Sequence, residues 1–98
     1  MQHGFGKETL EGGNVKYEGG FVQSKKEGKG RFDWKDGSYY EGELQDNQFC
    51  GTGIYHMSES NKTYEGAFVA NQFDGKGKLM YNDGFVYFGD WRAGKKEG

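Results

Sequence analysis

Pairs of glycines separated by one residue recur along the chain, and Gly-x-Gly elements of this kind can cradle phosphate groups. They stand at Gly4/Gly6, Gly28/Gly30, Gly51/Gly53 and Gly75/Gly77. A phosphate-binding loop also needs a third glycine, or a Lys followed by Ser or Thr, at the start of a helix. The stretches that begin at Gly28 and Gly75 do not continue in either way. We therefore interpret these pairs as glycines at equivalent positions of a structural repeat.

Nucleophiles and soft metal ligands are few and scattered. His3, His56 and Cys50 stand at unrelated places in the chain, so they assemble neither a catalytic triad nor a zinc site. A single cysteine also excludes an internal disulfide and fits a reducing compartment. We therefore expect a protein that is not an enzyme and has no metal or cofactor.

Three glutamates would resemble paired catalytic acids if each stood alone. They are Glu18, Glu41 and Glu65, and each occupies the same place in a repeated phrase. The hairpin register that this phrase predicts sets Glu18 against Arg31 and Glu65 against Lys78. Such ion pairs on a solvated face are worth a few tenths of a kcal/mol each.

One stripe of basic residues is the candidate for contact with anionic lipid. It contains Lys7, Lys29, Arg31, Lys76 and Lys78. The opposed glutamates and the formal net charge of −2 predict that membrane contact is weak. The same charge balance argues against a nucleic-acid partner, which normally requires a clear basic excess. A peripheral adaptor for anionic phospholipid membranes is therefore the alternative function.

A repeated phrase underlies most of these motifs. An aromatic-acidic-glycine triplet begins at Tyr17, Tyr40 and Tyr64, and a degenerate fourth copy begins at Tyr87, which gives spacings of 23, 24 and 23 residues. A period of this size is typical of a repeat array. The chain 1–98 divides into a half unit 1–16, full units 17–39, 40–63 and 64–86, and a half unit 87–98, all within one array.

Alternation with period two predicts that each unit is a hairpin of two short strands. In the first full unit, Tyr17, Gly19 and Phe21 share one face. The chain is 17% aromatic and has only three leucines, so aliphatic side chains cannot form a thick core. We expect rings to lie flat over glycine backbone. The predicted fold is all-β, a single-layer elongated twisted antiparallel sheet of successive hairpins.

The same repeated positions also predict the strands and the turns. Strands are predicted near 4–10, 15–21, 27–34, 38–45, 51–57, 62–69, 75–81 and 85–92, with no helix. The first hairpin is expected to pair Phe21 with Gly28. Left-handed turn residues are predicted at Ser24, Asn47, Asn71 and Gly94.

The aromatic face is the predicted surface for partner binding, because interface hot spots favour large rings. The expected contact residues are Tyr17, Phe21, Trp34, Tyr40, Tyr55, Tyr64, Phe68, Tyr81, Tyr87 and Trp91. The alternative is that these rings only hold the sheet together, and the sequence does not decide between the two.

The triplet, a polar turn, Gly-x-Gly and the Asp36-Gly37 turn together resemble the MORN (membrane occupation and recognition nexus) repeat, over essentially the whole chain. The resemblance implies a structural and protein-docking module of a larger assembly, such as a ciliary, axonemal or cytoskeletal scaffold. A regulatory segment of a larger enzyme is a further alternative. The chain departs from the pattern at Glu8, which replaces an inward apolar residue, and at Phe88, which replaces the triplet glutamate.

The remaining predictions concern the cellular location of the protein and the open ends of its sheet. No stretch is long enough to span a membrane and no signal peptide is recognisable, so we expect a cytoplasmic protein, associated with a cilium, a flagellum or the cytoskeleton. Tyr87 and Trp91 are expected to lie uncovered at the C-terminal edge. The predicted partners are other proteins of a larger complex, or a second copy bound through the open ends of the sheet.

Overall fold

The computed structural model describes residues 3–23 and 25–97, and in these residues it contains one antiparallel sheet of nine strands in sequence order. The strands are β1 (His3–Leu10), β2 (Val15–Val22), β3 (Lys25–Trp34), β4 (Tyr39–Gln45), β5 (Gln48–Met57), β6 (Lys62–Val69), β7 (Gln72–Met80), β8 (Val86–Arg92) and β9 (Lys95–Glu97). A single 3₁₀ turn, Glu11–Gly13, joins β1 to β2. The sheet measures 43 × 25 × 16 Å. The prediction of an elongated, single-layer all-β fold is confirmed.

Alternation places the core on one face of the sheet. The inner face, defined by Tyr17, Tyr40 and Tyr64, carries the buried side chains, and the outer face carries the triplet glutamates Glu41 and Glu65. The buried residues are Val15, Tyr17, Phe21, Phe32, Tyr40, Leu44, Tyr64, Phe68, Leu79 and Trp91, and no polar or charged residue is buried with them among the described residues. One face of one sheet therefore supplies the whole described core.

The predicted left-handed turns are present. Asn47, Asn71 and Gly94 have φ values of 68°, 71° and 83°, and the residue before each also has positive φ. Two successive residues of positive φ characterise the type I′ turn, whose twist matches that of paired strands. Ser24, the fourth predicted turn residue, lies outside the described residues.

Three details of the predicted strands were wrong. Both β5 and β7 begin three residues earlier than expected, and β9 was not predicted. The register shifts beyond the paired glycines, so Phe21 pairs with Lys26 and not with Gly28. The first glycines of the three interior pairs, Gly28, Gly51 and Gly75, lie in the resulting bulges, and each has a positive φ.

The registers predicted for the glutamates are nevertheless confirmed. Glu18 pairs with Arg31, and Glu65 pairs with Lys78. Each of these glutamates comes before the bulge along its strand, so the register shift does not affect its pairing. The bulge changes only the turn end of each hairpin.

Candidate functional site

Each full unit holds its triplet tyrosine flat against glycine backbone. The ring of Tyr40 lies over Gly53 of the neighbouring strand, so closely that a methyl group on Gly53 would stand 2.7 Å from Tyr40 Cε1. The Tyr40 hydroxyl donates a hydrogen bond to the Glu43 carbonyl oxygen at 2.8 Å. Tyr17 and Tyr64 repeat both features. The expected packing of rings on glycine is confirmed.

A second side chain covers the other face of each tyrosine. Phe49 stacks on Tyr40 and Phe73 stacks on Tyr64, each with ring centroids 3.8 Å apart. At Tyr17 and Tyr87 a lysine takes this place: Lys26 Nζ lies 5.3 Å from the centre of the Tyr17 ring, and Lys96 Nζ lies 4.8 Å from that of Tyr87. These covering residues were not predicted, although Lys26, Phe49, Phe73 and Lys96 follow the same 23- to 24-residue spacing.

Burial affects the acidity of these tyrosines. Desolvation raises the pKa of Tyr40 well above its ordinary value, with nearby Cys50 and Glu43 adding to the shift. Burial likewise raises the pKa values of Tyr17, Tyr55 and Tyr64. The hydroxyls therefore stay protonated at neutral pH, and those of Tyr17, Tyr40 and Tyr64 donate hydrogen bonds within the sheet.

The structure divides the ten predicted contact residues into two groups. Tyr17, Phe21, Tyr40, Tyr64, Phe68 and Trp91 are each at most 5% exposed. For these six residues burial supports the alternative that the rings hold the sheet together, because they pack on glycine and on one another. The other four, Trp34, Tyr55, Tyr81 and Tyr87, are half-buried at the border of the core. Binding of a partner by any of them stays a prediction.

These four half-buried residues, here called the rim, form two pairs. Trp34 and Tyr55 contact each other with ring centroids 5.9 Å apart. Tyr81 and Tyr87 are bridged by Lys96, whose ammonium lies over both rings and donates a hydrogen bond to the Tyr81 hydroxyl at 2.6 Å. Lys62 Nζ also lies 5.2 Å from the centre of the Tyr81 ring. The second pair therefore combines aromatic surface with two positive charges.

The basic stripe lies on the outer face and is opposed by carboxylates. Lys7 pairs with Glu18, Lys76 with Asp90, and Lys78 with Glu65, at 3.8, 2.9 and 3.7 Å. Arg31 pairs with Asp33 and Glu41 at 3.1 and 3.5 Å, so it does not form the expected ion pair with Glu18. Lys29 stands opposite Glu43 in the β3–β4 register. The stripe is therefore close to electrically balanced.

The scattered reactive residues remain apart in the structure. His56 Nδ1 lies 2.9 Å from Thr63 Oγ1, and the His56 ring stacks on Tyr39. Burial and two nearby glutamates raise the pKa of the Cys50 thiol. The side chain of His3 lies outside the described residues. Among the described residues, no three His, Cys, Asp or Glu side chains are grouped closely enough to hold a metal ion.

Over 3–23 and 25–97, the structure contains no helix with the length and apolarity required to cross a bilayer.

The C-terminal edge is better covered than predicted. Trp91 is 5% exposed, its indole N–H donates to the Gly77 carbonyl oxygen, and its ring packs edge-on against Tyr64 and Phe73. The expectation that Trp91 lies uncovered was wrong, because β8 docks on β7 as the interior strands dock on one another. Tyr87 is half-buried.

The family model of the MORN repeat matches residues 1–15, 17–39, 40–61, 64–86 and 87–98. This match confirms the resemblance that the triplets and paired glycines indicated. MORN repeats are structural modules or modules that bind proteins or membranes, and they are generally non-catalytic. The chain therefore belongs to the MORN repeat family.

Proposed function

We propose that this chain is a non-enzymatic structural and protein-docking module of a larger assembly, and that the rim is its docking surface. One observation carries the proposal. Trp34, Tyr55, Tyr81 and Tyr87 remain half-buried on the inner face, so part of each ring is accessible after the core has formed. Aromatic residues of this kind are enriched among those that dominate binding energy at protein interfaces.

The rim is suited to binding because it is already ordered. Trp34 packs on Phe32 and Tyr55, and Tyr81 is held by Lys96. Side chains that are fixed before association lose little rotational freedom when a partner binds. The lysines at Tyr81 favour a partner segment that carries carboxylates beside apolar side chains.

The test compares binding by matched variants. Trp34→Ala and Tyr81→Ala should each weaken capture of the same partner from native extract at least about tenfold, or about 1.4 kcal/mol. Tyr39→Ala is the control, because Tyr39 is also aromatic but stacks on His56 of the outer face. Each variant is first checked for folding by circular dichroism. Equal capture by the wild type and both rim variants would contradict the proposal.

Membrane binding through the basic stripe is the competing function, and the structure weighs against it. Four of the five basic residues form ion pairs with carboxylates on the same face. Sedimentation with phosphatidylserine vesicles at low and high salt tests it directly. Binding at low salt that is lost in Lys76→Ala and Lys78→Ala would replace the docking proposal with a membrane one.

We further propose that the assembly lies in the cytoplasm, at a cilium, a flagellum or the cytoskeleton. Its support is the family membership and the single free cysteine, which suits a reducing compartment. A fluorescent fusion in ciliated cells tests it. Concentration along the axoneme or on filaments agrees with the proposal, and a uniform distribution contradicts it. Regulation of an enzyme by this module is the remaining alternative.

A further inference from the structure

Two neighbouring turns are joined by hydrogen bonds beside Tyr55 of the rim. The Ser58 N–H donates to the Ser38 hydroxyl oxygen at 2.9 Å, and the Ser58 hydroxyl donates to the Asp36 carbonyl oxygen at 2.7 Å. The Asn61 N–H closes the second turn by donating to the Ser58 carbonyl oxygen at 3.2 Å. The two turns are therefore fixed relative to each other in the free chain.

A cleft of about 440 Å³ lies beside these turns. Its lining combines the acidic residues Asp36 and Glu59, the hydroxyl-bearing Ser38 and Ser60, and the large side chains of Tyr55 and Met57. The Tyr55 ring also contacts Trp34, with ring centroids 5.9 Å apart, so aromatic surface continues from the cleft along the rim. Negative charge beside aromatic surface suits a cation that is carried on an apolar stem.

The two carboxylates of the cleft have no cation paired with them. Neither Asp36 nor Glu59 forms an ion pair within the part of the chain that the structure describes, and no lysine or arginine of that part lines the cleft. Lys62, which follows the second turn, places its ammonium over Tyr81 instead. The Ser38 N–H donates to Asp36 Oδ1 at 2.9 Å and lowers the pKa of that carboxyl, so Asp36 is ionised at neutral pH. The cleft is therefore locally negative, whereas the basic stripe is nearly balanced.

The second turn is also the point at which the repeat is one residue longer. The step between the second and third triplets is 24 residues, and the other steps are 23. The corresponding turns of the neighbouring units contain Asp-Gly at 36–37 and 83–84, whereas this longer turn contains Glu59, an exposed residue. The departure from the repeat thus brings a second carboxylate to the cleft that Asp36 lines.

We propose that this cleft binds an arginine side chain of a partner protein. The proposal rests on the docking function of the rim and names the chemistry that one end of the rim recognises. The guanidinium lies between the Asp36 and Glu59 carboxylates, and the alkyl stem packs along Tyr55 and Met57. Arginine suits the cleft better than lysine, because its planar group presents five donors to several acceptors and packs on aromatic rings.

The exposure of the carboxylates sets the strength of the contact. Asp36 and Glu59 are both exposed, so water screens their attraction for a cation. Loss of either charge should therefore weaken binding by a factor of about three. A single arginine should bind with a Kd on the order of a millimolar, and a partner gains further affinity from the rest of the rim.

A titration of the isotope-labelled chain, followed by nuclear magnetic resonance, tests the proposal. The probe is the tripeptide acetyl-Leu-Arg-Leu-amide. Saturable shifts are expected at the Trp34 indole N–H and at the backbone N–H groups of residues 58–60. The same peptide with citrulline in place of arginine has nearly the same shape but no charge, and it should bind at least about tenfold more weakly.

Three amide variants locate the effect. Asp36→Asn and Glu59→Gln should each weaken binding of the arginine peptide about threefold, and the double variant about tenfold. Asp83→Asn is the matched control, because Asp83 Oδ1 accepts the Phe85 N–H in the next unit as Asp36 Oδ1 accepts the Ser38 N–H. Each amide keeps the acceptor oxygen of its turn, so the charge alone is removed. The control should bind the peptide as the wild type does.

The absence of saturable shifts up to about 10 mM peptide would overturn the proposal. Equal binding of the citrulline peptide, or equal weakening by Asp83→Asn, would overturn it as well. Failure of the docking function has a different signature. If Trp34→Ala and Tyr81→Ala weaken capture of the native partner but the arginine peptide does not bind, docking at the rim stands and the arginine cleft is refuted. If the peptide binds as expected and capture is unchanged, the preference of the cleft for arginine stands and docking at the rim is refuted.

Discussion

Phe49 lies face to face on Tyr40, with ring centroids 3.8 Å apart and planes 5° from parallel. The opposite face of the Tyr40 ring rests on Gly53 of the neighbouring strand. Tyr40 and Tyr64 are thus each held between glycine backbone and a second ring. The sheet obtains a core from one face, without the second layer that most domains require.

Removing the stacked ring should destabilise the sheet. Phe49→Ala is expected to lower the free energy of unfolding by about 3 kcal/mol, because Tyr40, Phe68 and Trp34 all lose contacts with it. Val69→Ala, at an exposed apolar position, should cost about 0.5 kcal/mol or less. Urea denaturation followed by circular dichroism measures both. A Phe49→Ala cost as small as that of the control would show that the stack contributes nothing.

High pH should also destabilise the fold. Burial raises the pKa values of Tyr17, Tyr40, Tyr55 and Tyr64 above their ordinary value. Above about pH 10 the unfolded chain releases phenolic protons that the folded chain retains. Stability is therefore fully present below that pH and falls as the pH rises.

The midpoint of urea unfolding, measured at about pH 9 and about pH 11, tests this prediction. The midpoint should fall between these values, and the fall should be smaller in Tyr40→Phe, which lacks the most strongly shifted phenol. A midpoint independent of pH, or an equal fall in the variant, would contradict this explanation.

Cys50 should react slowly with alkylating reagents. Burial, and secondarily Glu43 and Glu27, raise the pKa of its thiol, and the thiolate is the reactive form. At about pH 8 the folded chain should be labelled by iodoacetamide at least about fivefold more slowly than the chain in urea. Glu43→Gln keeps an amide oxygen near the Thr52 N–H but removes the charge, so it should speed labelling. Equal rates in folded and unfolded chains would refute the expectation.

Much of the fold could be predicted from the sequence because the alternation of residues within each repeat unit reflects the geometry of its strands. Alternation within each unit identified Tyr17, Tyr40 and Tyr64 as inward, and the turn residues Asn47 and Asn71 adopt the predicted conformation. Glycines that recur at a fixed spacing within strands indicate that a large group, here an aromatic ring, packs against their backbone. The ring-on-glycine core followed from that constraint.

The missed features lie at the bulges and the last strand. Phe49 and Phe73 were overlooked because the strands were started at the first glycine of each pair, although both residues follow the repeat spacing. The ninth strand was also foreseeable, since Lys95-Lys96-Glu97-Gly98 repeats Lys25-Lys26-Glu27-Gly28. Exposure was harder to judge: alternation shows which face a ring occupies, but it does not show whether a neighbour covers it. Six expected contact residues were therefore core residues.

The central claim is that the core consists of tyrosine rings packed on glycine, and Gly53 offers the sharpest test. Gly53→Ala would place a methyl group 2.5 Å from the Tyr40 hydroxyl oxygen and should cost at least about 2 kcal/mol of unfolding free energy. Its neighbour Thr52 is exposed, so Thr52→Ala should cost about 0.5 kcal/mol or less.

The decisive measurement is the double-mutant cycle of Gly53→Ala with Tyr40→Phe in urea denaturation. Tyr40→Phe removes the atom nearest the new methyl group, so the account predicts that the double variant is about 1 kcal/mol more stable than the sum of the single effects implies. Additive effects, together with a Gly53→Ala cost no larger than that of Thr52→Ala, would contradict the claim.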